Sequence, residues 1–401
     1  MDIPSVLLRL MGAALLTGTL VAFGVSERST TVSPALALVP ISQSPLDVSP
    51  DVDWKTGAKG HIPMPEGAMA AHASALVAMP NNQPDVLMAF WFAGDRESAP
   101  NVQIASASFN RATQTWGAAR FVVNRHDMGA QLGFGLRRLG NPVAWLDASG
   151  RIHLFVVATG WGGWAAGRIL HLQQRQDSQS ADLEFEPVGL LPLSWLWNTS
   201  FLVRTAPLPL ADGGMVLPAY FELGFKYPVA LRFDSKGNFV GMVRISNKRY
   251  ALQPALIAHS PTHWMALMRD TREVGKIIAA QTVDAGQNWT DLPDLALDNP
   301  DSAIATLRSH GQHWLVHNDS PHSREKLALS RSHNGLEWRT SLRLEEGSAG
   351  QEFSYPAIVQ THNSLWISYT DQRRSIAWQR LDLNANQTPQ NPSASNEKDK
   401  P

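Results

Sequence analysis

The feature that most constrains the fold is a unit that recurs six times along the chain. Each copy has an apolar strand, a small turn and a second apolar strand that ends in polar residues, as in residues 72–77 followed by residues 86–92. The aligned copies start at residues 73, 142, 205, 254, 302 and 356, so they lie about 57 residues apart on average. Short strands separated by glycine turns at this spacing are typical of propeller blades. The sequence therefore predicts an all-β fold, a six-bladed β-propeller.

A recognisable turn follows the third strand of the fourth copy. Residues 282–289 read TVDAGQNW, which fits the Asp-box pattern Ser/Thr-x-Asp-x-Gly-x-x-Trp, and residues 333–338 carry a degenerate version. In such a turn Asp284 can cap backbone amides, Gly286 can adopt a positive φ and Trp289 can pack between sheets. We expect these turns to be structural and to lie at the periphery of the blades.

Composition excludes several classes of protein. Hydrophobic residues make up 44% and charged residues 17% of the 401 residues, which is not the composition of a disordered chain. The net charge of −1 disfavours a general nucleic-acid binder. The absence of cysteine excludes disulfides, thiolate metal sites and cysteine nucleophiles. We predict no cofactor and no metal, and the His310-x-x-His313 pair at a strand turn need not converge on an ion.

The two ends of the chain differ from its middle. Arg9 precedes the uncharged residues 10–25, which is typical of a signal peptide or an uncleaved membrane anchor at residues 1–25. Residues 26–50 indicate a Ser/Thr/Pro-rich linker, residues 51–384 the propeller and residues 385–401 a disordered polar tail. These features predict an exported protein, either periplasmic, anchored to the inner membrane facing the periplasm, or secreted.

Short sequence motifs in the repeats resemble those of the sialidase (neuraminidase) superfamily, in its bacterial branch of BNR-repeat-like proteins with Asp-boxes. The resemblance covers about residues 60–384. It rests on the Asp-boxes and on residues 72–74 with 94–97, 140–142, 162–164, 217–222, 253–256, 299–302 and 353–356. It implies a site at the propeller axis, where the first strands of the blades converge, and a glycan as the ligand.

The resemblance also implies roles for individual residues. Sialidases hold the substrate carboxylate with three arginines and use a tyrosine as the nucleophile. Tyr355 occupies the nucleophile's place, Arg269 and Arg324 match two of the arginines, and Arg96 matches the arginine that ends the second strand of the first copy. Glu97 lies close to the position of the family's general acid.

Two residues depart from the family pattern. His72 stands where the first arginine should open the first copy, and Gln253 stands where a glutamate should assist the tyrosine. Because glutamine accepts no proton, Tyr355 needs another base, and Glu222 and Glu352 are the candidates. We expect one axial pocket to contain the full set of candidate residues, which are His72, Arg96, Glu97, Glu222, Gln253, Arg269, Arg324 and Tyr355.

Three functions fit this set of residues. The leading prediction is a sialidase-like, exo-acting glycoside hydrolase on an acidic or decorated glycan of the cell envelope. The alternatives are a glycan-binding propeller without catalysis and a polysaccharide lyase on the same scaffold. Four tryptophans in long connections are candidates for stacking on sugars, namely Trp161, Trp164, Trp195 and Trp197.

Overall fold

The computed structural model describes residue 7 and residues 9–18, 32–39, 53–176 and 183–383. The chain from residue 53 onward forms six antiparallel sheets arranged as the blades of a propeller. The predicted six-bladed β-propeller is confirmed. The described residues also include a helix at Arg125–Leu132, between the first two blades, and a 3₁₀ turn at Gly163–Ala166.

The chain supplies the strands of the first three blades in order, after one strand that belongs to the last blade. That first strand is β1 (Trp54–His61). Blade 1 contains β2 (Ala70–Ala78), β3 (Asp85–Gly94), β4 (Gln103–Asn110) and β5 (Arg120–Val123). Blade 2 contains β6 (Arg138–Leu146), β7 (Ile152–Thr159), β8 (Gly167–Gln174) and β9 (Phe185–Leu190). Blade 3 contains β10 (Phe201–Val203), β11 (Leu208–Pro209), β12 (Met215–Phe221), β13 (Tyr227–Phe233) and β14 (Phe239–Arg244).

The last three blades follow the same plan, and the sixth closes the ring. Blade 4 contains β15 (Ala251–Ala258), β16 (Trp264–Asp270), β17 (Lys276–Thr282), β18 (Thr290–Asp291) and β19 (Leu295–Asp298). Blade 5 contains β20 (Ala305–Ser309), β21 (Gln312–Asn318), β22 (Lys326–Ser332) and β23 (Arg339–Glu346). Blade 6 contains β24 (Phe353–Thr361), β25 (Ser364–Asp371) and β26 (Ser375–Leu383), with β1 paired antiparallel to β26 as its outer strand. The two ends of the propeller thus share one sheet.

Burial is highest in the second strands of most blades and lowest in the outer strands, and the innermost strands β20 and β24 are only partly buried. The second strands β3, β7, β12 and β21 are buried along their whole length, because each blade packs against neighbours on both faces. The outer strands β1 and β23 are largely exposed. Trp91, Trp264 and Trp314, one from each of three second strands, are the largest fully buried side chains. Truncating any of them to alanine would cost about 3–5 kcal/mol of folding free energy.

The Asp-box of blade 4 has the predicted structure. The carboxylate of Asp284 accepts hydrogen bonds from the Asn288 amide at 2.9 Å and from the Thr282 hydroxyl at 2.7 Å. Gly286 has a φ of +83°, and Trp289 donates its indole N–H to the Gly286 carbonyl at 3.2 Å. The turn lies after the third strand, at the end of the blade opposite the candidate site.

Part of the predicted linker lies against the propeller. Within residues 32–39, Ala37 is buried and forms a bridge with Leu210, and its amide donates to the Pro261 carbonyl at 2.8 Å. This segment therefore follows the junction of blades 3 and 4. Residues 9–18 are helical, and no helix among the described residues is long and apolar enough to cross a membrane. The rest of the predicted signal or anchor segment, the remainder of the linker and the tail from residue 385 lie outside the described residues.

Candidate active site

The first strands of the blades bring one residue each to the axis. Four of these strands contain a bulge, and the bulge holds a non-glycine residue in the left-handed region, with φ of +55° at Ala73, +42° at Asn141, +50° at Gln253 and +54° at Tyr355. Asp301, with φ of +51°, takes the equivalent place before β20. Such a conformation costs an L-residue roughly 1–2 kcal/mol, so the surrounding sheets must enforce it.

Arg204 takes the equivalent place in blade 3 and closes the axis. Its guanidinium donates to the carbonyls of Ser74 at 3.2 Å and Pro356 at 2.9 Å, so it spans from blade 3 to blades 1 and 6. Burial lowers the pKa of Arg204 to about 10, although Tyr355 and Tyr220 favour its charge. The axial cavity beside it holds only about 20 Å³ and is lined by first strands. A ligand larger than water therefore has no room inside the axis at the level of Arg204.

Tyr355 is positioned from three directions. Its ring lies 4.2 Å from the ring of His72 between centroids, and the Arg204 guanidinium lies 5.2 Å from the ring centre. Its hydroxyl accepts a hydrogen bond from Nη1 of Arg269 at 3.3 Å. The phenol is therefore held at the axis among cations, with its oxygen at the side where Arg269 approaches.

Arg269, at the end of β16, connects Tyr355 to two other axial residues. Its Nη1 donates to Oε1 of Gln253 at 3.3 Å, and its Nε forms an ion pair with the Asp301 carboxylate. Burial opposes its charge, but Tyr355 and Asp301 outweigh burial and raise the pKa of Arg269. Arg269 is therefore a permanent cation next to the tyrosine oxygen.

A second group of charges surrounds Glu352. Its carboxylate accepts hydrogen bonds from Arg324 Nη1 at 3.0 Å, Arg373 Nε at 2.8 Å and the Ser354 hydroxyl at 2.6 Å. Burial alone would raise the pKa of Glu352, but these donors and the charges of both arginines lower it to about 2. Arg373 also bonds to Glu97, which ties blade 1 to blade 6 across the site. Arg324 further donates to the Asp301 carbonyl at 2.8 Å.

His72 does not replace the arginine of the family pattern as a cation. It is 2% exposed, and neither ring nitrogen has a hydrogen-bond partner among the described residues. Burial first, and then the charge of Arg373, lower the pKa of His72 well below its usual value. The imidazole is therefore neutral and acts as a packing surface for Tyr355.

Gln253, in blade 4, and Glu222, which follows β12 of blade 3, both lie close to Arg269. Nε2 of Gln253 donates to the hydroxyl of the buried Tyr220 at 3.4 Å. Burial raises the pKa of Glu222, and Arg269 and Lys226 only partly offset this effect. The environments of Glu222 and Glu352 thus drive their pKa values in opposite directions, which is typical of carboxyl groups with different roles in acid–base chemistry.

Comparison with known proteins identifies the family. A family model described as a BNR repeat-like domain matches residues 85–367, more than two thirds of the chain. The chain belongs to the BNR repeat-like family. The resemblance to the BNR-repeat branch of the sialidase superfamily is thereby confirmed. No curated protein matches the sequence.

Solved structures share the fold of this BNR repeat-like chain. Trypanosoma rangeli sialidase in complex with sialic acid is 12% identical with a TM-score of 0.61, and the match covers 84% of this chain and 59% of that one. A protein of unknown function from Dyadobacter fermentans DSM 18053 is 12% identical with a TM-score of 0.62, covering 82% and 99%. The NanB sialidase from Streptococcus pneumoniae is 13% identical with a TM-score of 0.55, covering 87% and 72%. At these identities the likeness shows the sialidase-like fold.

The structure brings most of the predicted site residues of this BNR repeat-like protein together. Direct contacts join His72, Glu97, Gln253, Arg269, Arg324 and Tyr355 through one network, and Glu222 interacts electrostatically with Arg269. Arg96 is exposed, and no side-chain contact links it to this network within the described residues. No group of three His, Asp or Glu side chains in the described part of the chain could hold a metal ion.

Sequence reasoning missed three members of the site, Arg204, Asp301 and Arg373. Arg204 and Asp301 stand one residue before the aligned starts of the third and fifth copies, so the repeat itself marks their positions. Arg373 lies in the turn between β25 and β26, where the residue has a φ of +55° and no repeat phrase marks it. With Arg269 and Arg324, Arg373 restores three arginines at a site that lacks one at His72.

Proposed function

We propose that the protein is an exo-acting, sialidase-like glycoside hydrolase that recognises a carboxylate on its glycan substrate. The observation that carries this proposal is the hydrogen bond from Arg269 to the Tyr355 hydroxyl at the axis. The tyrosine oxygen, which we propose as the nucleophile, thus lies beside a permanent cation at the point where the inner strands of the blades meet. A neutral tyrosine avoids the repulsion that a carboxylate nucleophile would exert on an anionic sugar.

The three arginines are suited to the substrate carboxylate. Arg269, Arg324 and Arg373 each have a carboxylate partner in the free protein, and the planar guanidinium offers further donors to an anion. A sugar carboxylate that bonds to Arg373 would compete with Glu97 for this cation. Substrate binding would then free Glu97 for chemistry.

The proposed hydrolysis gives one role each to Tyr355, Glu222 and Glu97. The Tyr355 oxygen forms a bond to the anomeric carbon while the bond from that carbon to the leaving oxygen breaks. Burial raises the pKa of Glu222, which makes its carboxylate a stronger base, and Glu222 accepts the tyrosine proton. Glu97 donates a proton to the leaving oxygen. Water then attacks the anomeric carbon, gives one proton to Glu97 and releases the sugar, and Tyr355 regains its proton from Glu222.

The test compares turnover by the full chain with turnover by Tyr355→Phe. Reporter sialosides, rhamnosides and uronides, together with acidic polysaccharides, form the substrate panel. We expect Tyr355→Phe to abolish turnover while circular dichroism and the melting temperature stay close to those of the parent, because only a hydroxyl is lost. Tyr250→Phe, which changes a tyrosine outside the axial network, is the matched control and should keep its activity. Full turnover by Tyr355→Phe would exclude the proposed nucleophile.

A second candidate function is glycan binding without turnover. It is favoured by Gln253, an amide that contacts both Arg269 and Tyr220 where the family pattern has a proton acceptor. A glycan array, combined with turnover assays on the same substrate panel, distinguishes the hydrolase from the glycan binder. Binding without product formation would indicate the binder. An unsaturated sugar product would instead select a lyase.

We also propose that the protein is exported to the cell envelope. The support is Arg9 followed by the uncharged residues 10–25. Cell fractionation and N-terminal sequencing of the mature protein would test this location and would separate a cleaved form from an anchored one. Recovery of the uncleaved chain in the cytosol would overturn the proposal.

A further inference from the structure

We infer that a second glycan-binding surface extends from the axial site over blades 2 and 3, so that the ligand is an anionic oligosaccharide chain rather than a single terminal sugar. The surface, named here the aromatic rim, consists of Trp161, Trp195, Trp197 and Phe225. The inference rests on the proposed function and specifies its substrate class.

The aromatic rim is the place where this protein exposes its large rings. Trp161 is 80% exposed, Trp195 68%, Phe225 61% and Trp197 50%, and every exposed large aromatic side chain of the described residues belongs to this set. Leu196 and Leu223, also exposed, lie between these rings in the chain. Rings of this size are normally buried, so their concentration on one part of the surface indicates a binding surface.

Three neighbouring loops carry the rings. The loops are residues 160–166, 191–200 and 222–226. Ser200 connects them, because its hydroxyl donates a hydrogen bond to the Ala165 carbonyl and its carbonyl accepts one from the Glu222 amide at 3.0 Å. All three loops lie at the end of the blades where β7 and β12 finish, which is also the end that carries Arg269. Glu222 begins the third loop, so the aromatic rim is continuous with the axial site.

Trp164, the fourth tryptophan predicted to contact a sugar, has a structural role. Its indole N–H donates to the Ser98 hydroxyl at 3.1 Å, and its ring covers Gly140. A Cβ at Gly140 would lie 2.6 Å from the Trp164 ring, so the close packing of β6 in blade 2 against the 3₁₀ turn requires glycine there. Trp164 thereby holds the loop that exposes Trp161.

Charges within the aromatic rim favour an anionic glycan. The Arg137 guanidinium lies 3.1 Å from the Trp161 ring centre, and the Arg249 guanidinium lies 4.2 Å from the Phe225 ring centre. Sugars present C–H faces that pack on aromatic rings, while carboxylates on the same sugars pair with guanidinium groups. A chain that starts with its carboxylated end at Arg269 would meet both rings and cations on this surface.

The experiment measures binding of matched short and long probes by isothermal titration calorimetry. The probes are oligosialic acids and oligogalacturonides, each as a disaccharide and as a hexasaccharide. The protein is the full chain, with and without the paired substitutions Trp195→Ala and Trp197→Ala, and with Trp161→Ala alone. Val283→Ala and Leu336→Ala remove exposed apolar side chains from the Asp-box turns at the opposite end and serve as matched controls.

The inference predicts that the parent binds a hexasaccharide more tightly than its disaccharide. Each lost ring should weaken hexasaccharide binding by about two- to tenfold and leave disaccharide binding unchanged, while the controls change neither. Equal affinity for both lengths, or rim variants that lose both equally, would overturn the inference and leave the axial proposal standing. Failure of the parent to bind any acidic probe would overturn both proposals.

A different partner would give a different result in a vesicle assay. If the rim variants lost binding to phosphatidylglycerol–phosphatidylethanolamine vesicles but kept the parent's hexasaccharide affinity, the rings would contact lipid and the inference would be wrong. Retention of parental vesicle behaviour together with the length-dependent loss of glycan binding would support it.

Discussion

Glu352 gives the clearest quantitative prediction, because one carboxylate balances two arginines of the candidate site. Its side chain is 21% exposed, and its pKa falls from an ordinary value of 4.5 to about 2 in the folded protein. At about 1.4 kcal/mol per pH unit, this difference corresponds to about 3 kcal/mol of folding free energy. Because the folded pKa is the lower one, this stabilisation is complete above pH 4.5 and is lost as the pH falls toward 2.

Glu352→Gln tests the prediction, since the amide keeps the shape but not the charge. We expect the variant to be less stable than the parent by up to about 3 kcal/mol at neutral pH, and the difference to shrink toward zero as the pH falls from about 5 to about 2. Urea denaturation of both proteins across this range, followed by circular dichroism, measures the difference directly. A constant difference at every pH would refute the argument that Arg324 and Arg373 lower the pKa of Glu352.

Two further predictions concern the chemistry of the site. If Glu222 accepts the tyrosine proton, kcat/KM of the parent rises with pH through a midpoint above the usual glutamate range, because burial raises the pKa of Glu222. Glu222→Gln should lower the rate and abolish this rise of kcat/KM with pH. If the rise persists in the variant, Glu222 is excluded as the base. Arg373→Ala should weaken disaccharide binding about ten- to a hundredfold through loss of a charge-assisted contact. The control Arg374→Ala, which changes the exposed next residue, should leave disaccharide binding unchanged. Equal losses in the two variants would show that only the local positive charge matters.

The fold could be predicted from the sequence because the repeat is a local signal that recurs. Apolar strand pairs with turns at regular spacing define a blade, and six copies define the ring. The closing strand β1 has no such signal, since six of its eight residues are exposed and its pairing with β26 joins positions more than 300 residues apart. Residues 32–39 likewise show a composition typical of a linker, yet Ala37 is buried against blade 3. Such long-range pairings depend on surfaces that only the assembled propeller offers.

The site was predictable where a residue occupies a repeat position and less so elsewhere. Tyr355 and Gln253 stand at such positions, and the structure places both at the axis. Arg373 was missed because it lies in a turn, and only the closed ring brings it to Glu97, which is 276 residues away. The role of His72 also depended on the environment, because the identity of the residue does not reveal that burial keeps it neutral.

The final prediction concerns the free-energy cost of the left-handed conformation at the bulges of the first strands. Ala73 and Ala71 lie in the same strand and are both fully buried, at 0% and 1% exposure, but only Ala73 has a positive φ. Glycine adopts that conformation freely, whereas it costs alanine roughly 1–2 kcal/mol. The two Ala→Gly changes share the loss of a buried methyl and the added backbone entropy of the unfolded chain. Ala73→Gly should therefore be about 1–2 kcal/mol more stable than Ala71→Gly in urea denaturation.

The comparison separates the backbone cost from the chemistry of the site. Ala73 has no reactive side chain, so the free energy measured there belongs to the bulge that Gln253 and Tyr355 also occupy. If the two variants are equally unstable, the bulge is relaxed and Tyr355 needs no enforcement by the sheets. If they differ as expected, the same strain acts at Tyr355, and packing by His72 and Arg204 is what keeps the phenol at the axis.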